Sequence, residues 1–436
     1  MNRMNSTVSD RRLRGLSIGQ TLPVWARIGL LSFGGPAGQI ALMHKEIVEE
    51  RNWLTEKQYL NALSFCMMLP GPEAMQLATY CGWRMHGVAG GLVAGLLFVI
   101  PGALIVLALA MLYALFGSVP VVEAIFTGVK AAVLIIVLEA LLRVARRSLN
   151  GVLHWSVALL SFLALFVFNL PFPLVILLAA LVGFAVGRDQ EGDTGAVTET
   201  VSFKATSRTI LIWLSVWIVP LVLVAALLDP IHAALGIFFS KLATVTFGGA
   251  YAVLAYMSQE AVVGQGWLSA GEMLDGLGLA ETTPGPLILV TEFVGFLAAA
   301  RAEGSLSLGA GLIGAGVTLW ATFAPCFLWV FAGAPYIEWL GEKPRLRSAL
   351  ASISAAVVGV ILNLSIWFAL HVLFADVARR SWGVAHIWVP DIASADAIAI
   401  ALAIIASALL LLFKRGVLQT LLVCGLLGYA GVTALS

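Results

Sequence analysis

The chain has 436 residues, 60% of them hydrophobic and 11% charged, with a mean hydropathy of +0.98 and a formal net charge of +1. Soluble domains carry roughly 25% charged residues, so a soluble globular protein is excluded and an all-α polytopic membrane protein is expected. The near-zero net charge neither favours nor excludes an anionic ligand, and nothing points to nucleic acid.

Residues 1–20 are polar and basic, and no signal peptide is read there. Apolar stretches predict about thirteen transmembrane helices. Six fall in the first half, at 21–43, 59–84, 87–116, 121–142, 151–169 and 171–187. A charged linker at 188–208 and an extra span at 209–228 follow. The second half repeats the count at 231–257, 271–300, 305–335, 345–374, 390–413 and 416–434. The expected units are therefore 1–187, a linker with the extra helix at 188–230, and 231–436.

The two halves are copies. Phe33-Gly34-Gly35 recurs 214 residues later as Phe247-Gly248-Gly249, and Pro70-Gly71-Pro72 recurs at the same offset as Pro284-Gly285-Pro286. Nine of the 22 residues from Phe33 to Leu54 are identical to their counterparts. With a ten-residue insertion, Pro101 matches Pro325 and Ala131-Ala132-Val133 matches Ala355-Ala356-Val357. With the N-terminus in the cytoplasm, sixteen Lys/Arg fall inside and six outside, following the positive-inside rule. The outside exceptions are the 44–58 loop, Arg301 and Arg379-Arg380. The two FGG spans are seven spans apart, so the halves are expected to be inverted repeats. That parity reverses if one PGP segment turns back instead of crossing.

Each PGP motif must break its helix, because proline lacks an N–H and clashes with the preceding turn. A new half-helix begins at Pro72 and at Pro286, with free N–H groups suited to an anion. Gln76, Thr282 and Thr283 flank these breaks as hydrogen-bonding candidates. Ser32 and Thr246 precede the glycine pairs Gly34-Gly35 and Gly248-Gly249. Those pairs suit either a close helix contact or a ligand contact. Arg27 and Lys241 match across the repeat inside their spans; they read as anion partners or as side chains reaching the interface. Lys130 lies deeper and is a candidate fixed charge on an anion path. Glu73 and Glu292 are the candidate proton-coupling carboxylates, with helix capping the alternative for Glu73. Glu46, Glu260, Trp53 and Trp267 recur just past span ends, which suits structural or gating roles. Cys66, Cys81, Cys326 and Cys424 lie in spans without a CxxC pair and read as packing residues. No ATP-binding, dinucleotide or metal-ligand pattern is present, so no cofactor or metal is expected, and a transporter is favoured over an enzyme.

A basic helix leading into SFGGP, Ser32 to Pro36, then Trp53-Leu54, a PGP followed by Glu73 and Gln76, and a second FGG…PGP half resembles the chromate ion transporter (CHR) family, long two-domain type. The resemblance covers residues 16–375. It implies a bacterial inner-membrane protein that exports chromate, confers chromate resistance and couples to the proton motive force. Sulfate is the look-alike anion, and a sulfate or other oxyanion carrier is the alternative reading. Membrane lipid surrounds such a chain, and a homodimer is open.

Overall fold

The computed structural model describes residues 16–33, 35–187, 203–247, 250–337, 344–383 and 385–435. Gly34, Gly248, Gly249 and most of the 188–208 linker therefore lie outside the described residues. In the first half, α1 is Ile18–Leu31, and α2 is Gly35–His44 with a π turn at Lys45–Glu50. Helix α3 is Glu56–Cys66, and α4 is Glu73–Phe116. Helix α4 has two limbs, 73–85 and 88–116, because His86 and Gly87 leave helical geometry. Then come α5, Pro120–Ser148, α6, Val152–Phe166, and α7, Phe172–Val186. After α8, Phe203–Leu227, the second half opens with α9, Pro230–Val245, and α10, Ala250–Ser258, extended by a π turn at Gln259–Gly264. Next are α11, Ala270–Thr282, a short turn Leu287–Leu289 with α12, Val290–Ala300, then α13, Leu308–Gly333, and α14, Pro344–Leu373. Strands β1, Val377–Trp382, and β2, Ala385–Pro390, precede α15, Ala397–Ser407, and α16, Val417–Leu435. Among the described residues six helices are long and apolar enough to cross a membrane, and five more apolar helices are shorter.

The repeat holds at single-residue resolution. Both halves carry a π turn at the same place, Lys45–Glu50 and Gln259–Gly264. Both then bend at a positive φ, Asn52 at 52° and Gly266 at 63°. Both start the next helix with a capping box, Thr55 with Gln58 and Ser269 with Glu272. Gly71 and Gly285 sit at φ 121° and 96°, a region that favours glycine, which is why each PGP has glycine at its centre.

The four segments expected as single spans broken at FGG or PGP fold back on themselves instead. Run straight, Arg27 and Glu46 would be about 28 Å apart at 1.5 Å per residue; their side chains are 3.5 Å apart. The Trp25 and Trp53 rings lie 6.4 Å apart, and the equivalent Phe239 and Trp267 rings 6.5 Å. The Phe65 and Tyr80 rings lie 5.9 Å apart across the first PGP. Across the second, Arg301 at the end of α12 pairs with Glu272 at the start of α11. Two adjacent residues without helical hydrogen bonds do more than kink a helix: they let the chain reverse.

The hairpins of the two halves lie at opposite ends of shared helices. Along the limb 88–116, Gly90 meets Gly82 of the first hairpin, Gly102 meets Pro284 at the second PGP, and Tyr113 reaches Asp275 of α11. Along α13, Gly314 meets Gly295 of the second hairpin, Cys326 meets Gly71, and Gly333 meets Phe65 of α3. The peripheral helices are exchanged in the same manner. Helices α6 and α7 of the first half pack on α14 of the second, while α15 and α16 pack on α5 of the first. The two-stranded β1–β2 ribbon, turning at Gly383, was not expected from sequence; its strand edge bonds α6 through His386 N–H to the Val167 carbonyl, 2.7 Å.

A Cβ at Gly102 would fall 2.2 Å from the Pro284 carbonyl oxygen. Gly102→Ala is expected to destabilise the fold by about 1–3 kcal/mol, read as a lower melting temperature in detergent, whereas Gly316→Ala, with open space around its Cβ site, is expected to melt like the wild type.

Candidate functional site

The centre of the molecule is a knot in which each half closes the other's break. The Gly71 N–H donates to the Thr246 carbonyl, 2.8 Å, and the Gly285 N–H donates to the Ser32 carbonyl, 2.9 Å. Gly71 and Gly285 are repeat partners, as are Ser32 and Thr246, so the two bonds are exchanged images of one another. Gln39 adds its side-chain amide to the Gly285 carbonyl, 2.6 Å, and Gln76 adds its own to the Pro70 carbonyl, 2.6 Å. Orphan backbone groups in an apolar interior cost several kcal/mol each, so these bonds allow two breaks to exist at membrane depth.

The expected hydroxyl ligands are turned inward. Ser32 Oγ donates to the Ile28 carbonyl and Thr246 Oγ1 to that of Leu242, both 2.5 Å. Thr282 and Thr283 likewise donate to Leu279 and Ala280, at 2.8 and 3.1 Å. Their protons close the last turns of their own helices, where carbonyls lack intrahelical partners. The N-terminus after Pro286 begins with Leu287, Ile288 and Leu289, all buried and apolar. The N-terminus after Pro72 differs, since Gly71 and Glu73 line a cavity of ≈ 200 Å³. Its walls include Pro36, Arg143, Arg147, Tyr251 and Ser354. Arg143 is held by Glu139 at 2.7 Å, and Tyr251 donates to Glu281 at 2.8 Å. Two guanidiniums and a helix N-terminus thus face one space, a set of donors suited to a dianion.

Other expected basic residues lie elsewhere. Arg27, 54% exposed, pairs at the open end of its hairpin with Glu46, which is 1% exposed and also bonded by Arg51 at 2.5 Å. Lys241 is exposed. Trp53 is buried beside Trp25, and Trp267 stacks on Phe239 and meets Phe238 edge-on. Glu260 accepts from Gln265 at 3.2 Å. Glu292 is 1% exposed, and its Oε2 has no partner among the described residues. Lys130 lines a different cavity, of ≈ 530 Å³, with Tyr113, Asp275, Glu272, Glu123 and Arg301. Sequence reasoning passed over Arg143 and Arg147 as ligands. Both lie among the basic residues counted on the inner face, and their i, i+4 spacing at a helix end is the available signal. Sequence reasoning also missed Asp275, one of four acidic residues inside the apolar stretch 271–300. No group of His, Cys, Asp and Glu among the described residues is arranged to hold a metal.

Helical hairpins, crossed long helices and two cavities separated by a central knot define a multi-pass membrane protein of the transporter kind. The chain belongs to the chromate transporter family, whose model matches residues 19–184 and 233–429. It is similar to a chromate transport protein of Pseudomonas aeruginosa, 32% identical over 79% of this chain and 80% of that one. It is similar also to a probable chromate transport protein of Synechococcus elongatus, 31% identical over 79% and 83% of the two chains, and to a chromate transport protein of Cupriavidus metallidurans, 29% identical over 78% and 80%. No solved structure matches the chain.

Removing the buried Glu46 carboxylate takes an ion partner from Arg27 and leaves Arg51 with Glu50, at 3.2 Å. Glu46→Gln is expected to cost about 1–3 kcal/mol, discounted because both arginines are partly solvated. The loss is read by thermal melting, with substrate affinity of the folded fraction unchanged.

Proposed function

We propose that this protein is a secondary active transporter that moves chromate out of the cytoplasm and thereby confers chromate resistance. Its halves are inverted repeats that alternate access to the central knot, driven by protons. The observation that carries the reading is the pair of cavities on opposite sides of the reciprocal Gly71–Thr246 and Gly285–Ser32 bonds, one of them lined by Arg143 and Arg147. The two cavities take in opposite ends of α5, residues 140–148 and 123–130, an arrangement alternating access can use.

Orientation follows from treating the four folded-back segments as re-entrant. Nine helical segments then cross the membrane: the limb 88–116, α5 to α8, and α13 to α16. The 44–58 loop moves to the same face as the N-terminus, so Lys45, Arg51 and Lys57 cease to be exceptions. Nineteen Lys/Arg then lie on that face and three, Arg301, Arg379 and Arg380, on the other. This supports a cytoplasmic N-terminus and a cytoplasmic opening for the arginine-lined cavity. Five crossings separate the first hairpins from the second, and an odd number inverts them.

In this cavity Arg143 and Arg147 hold the tetrahedral dianion, and the N–H groups after Pro72 complete its shell. Gly71 lets backbone approach closely. Glu73, on the same wall, opposes the anion while ionised and makes its affinity depend on pH. Arg27 and Lys241, at the hairpin mouths, contribute long-range attraction only. Chromate rather than sulfate is favoured by the similarity to chromate transport proteins. The two ions share shape and charge, so unlabelled sulfate is expected to compete.

Proteoliposomes with radiolabelled chromate and an imposed pH gradient test the reading. Wild type is expected to accumulate chromate against its gradient only when the pH gradient is present. Arg143→Gln and Arg147→Gln are each expected to raise the half-saturating chromate concentration ~10-fold or more while changing the maximal rate less. Flux that stays downhill under every gradient would make the protein a channel, and sulfate movement without chromate would make it a carrier of another oxyanion.

A further inference from the structure

The second cavity holds a charge cluster that joins the two halves. Asp275, on α11, is 3% exposed. Its Oδ2 accepts from the Tyr113 hydroxyl at 2.7 Å and lies 3.5 Å from Lys130 Nζ. Both partners come from the first half, Tyr113 from the limb 88–116 and Lys130 from α5. The other oxygen, Oδ1, is buried with no hydrogen-bond partner among the described residues. A buried carboxylate oxygen left unpaired is costly, and a proton removes the charge that makes it so.

The surroundings leave Asp275 as the group that exchanges the proton. Glu272, one turn away on α11, is held by Arg301 from the end of α12. Glu123 lines the cavity from α5, and α14 and α16, which also pack on α11, contribute no residue to its wall. The cavity of ≈ 530 Å³ gives water a route to the cluster from the face opposite the arginine-lined cavity. Neither earlier carboxylate candidate combines these features. Glu73 shares the wall of the arginine-lined cavity, and Glu292 lines neither of these two cavities.

We propose that Asp275 is the proton-binding site of the transport cycle, with Lys130 as its charge partner and Tyr113 as the group that positions it. A proton on Oδ1 leaves Oδ2 as a carbonyl oxygen that still accepts from Tyr113. The hydrogen bond survives while the ion pair to Lys130 is lost. Loading the site from the outer face therefore cuts the electrostatic tie between α5 of the first half and the α11 hairpin of the second. Deprotonation restores it. The halves are thus pinned together at this face when the site is empty and released when it is full, which couples the proton to their relative movement.

The inference rests on the transport reading above, and the test separates the two. Three proteins in proteoliposomes suffice: wild type, D275N, and the charge-free pair D275N with K130Q. Each is assayed for chromate–chromate counterflow at equal pH, for pH-driven chromate accumulation and for chromate-dependent proton flux. Both variants are expected to keep counterflow while losing accumulation and proton flux ~10-fold or more. If the ion pair is merely structural, the charge-free pair recovers accumulation and proton flux, and the proposal falls. Difference infrared spectra between acid and alkaline pH give a second readout that needs no transported anion. A protonated-carboxyl band is expected in wild type and absent in the charge-free pair; a band unchanged by the substitutions overturns the site. Absence of chromate counterflow in wild type overturns the functional reading instead, and the infrared band still decides the proton site.

Discussion

Two backbone hydrogen bonds hold the architecture together. Gly71 N–H to the Thr246 carbonyl and Gly285 N–H to the Ser32 carbonyl join the PGP turn of each half to the end of the helix before FGG in the other. In lipid a helix break is tolerated only where the freed groups find partners or a wet cavity. Here neither half carries those partners alone. The tight contacts at Gly102 with Pro284 and at Gly71 with Cys326 follow from the same requirement, since backbones must approach closely to share these bonds. The outer helices repeat the exchange on a larger scale, α6 and α7 lying on α14, and α15 and α16 on α5.

On this symmetric frame the chemistry is asymmetric. The first PGP leads into Glu73 beside a cavity with two arginines, whereas the second leads into Leu287, Ile288 and Leu289 packed in apolar surroundings. Lys130 faces Asp275, while its repeat partner Ser354 lines the arginine-lined cavity. Duplication supplied two equivalent positions, and substitution gave one side guanidiniums and the other a carboxylate. In the proposed cycle that difference separates the anion route from the proton route. Because α5 lines both cavities, Ala140 to Ser148 in one and Glu123 to Lys130 in the other, the two routes remain mechanically connected.

The duplication, the helix breaks and the helical class were legible in the sequence because they depend on local residue chemistry: proline without an N–H, glycine pairs, a fixed 214-residue offset. The reversal of direction at each break was not legible. Hydropathy measures how apolar a segment is, and a hairpin of two half-length helices is as apolar as one full helix. The basic loop at Lys45, Arg51 and Lys57 was the clue, appearing as an exception to the charge rule. For the site, the positions of the breaks were legible but their hydroxyls were misread. Ser32 and Thr246 have the composition of ligands and the geometry of helix caps. Arg143 and Arg147 carry a local mark in their i, i+4 spacing, but the cavity they face is assembled from distant helices, as is the pairing of Asp275 with Tyr113 and Lys130, and no local pattern announces such contacts.

Helix α8 has few buried residues, with only 6% of its most apolar window covered by the rest of the chain. It packs mainly on α13 and, more lightly, on α9. In the proposed topology its main contribution is arithmetic: one extra passage turns the second copy upside down. A gene fusion that joined the two halves without it would deliver both copies facing the same way. The knot at Gly71 and Gly285 would then have no mate. In the proposed topology the least buried of the six membrane-length helices among the described residues is the one that allows two oppositely inserted halves to share a single chain.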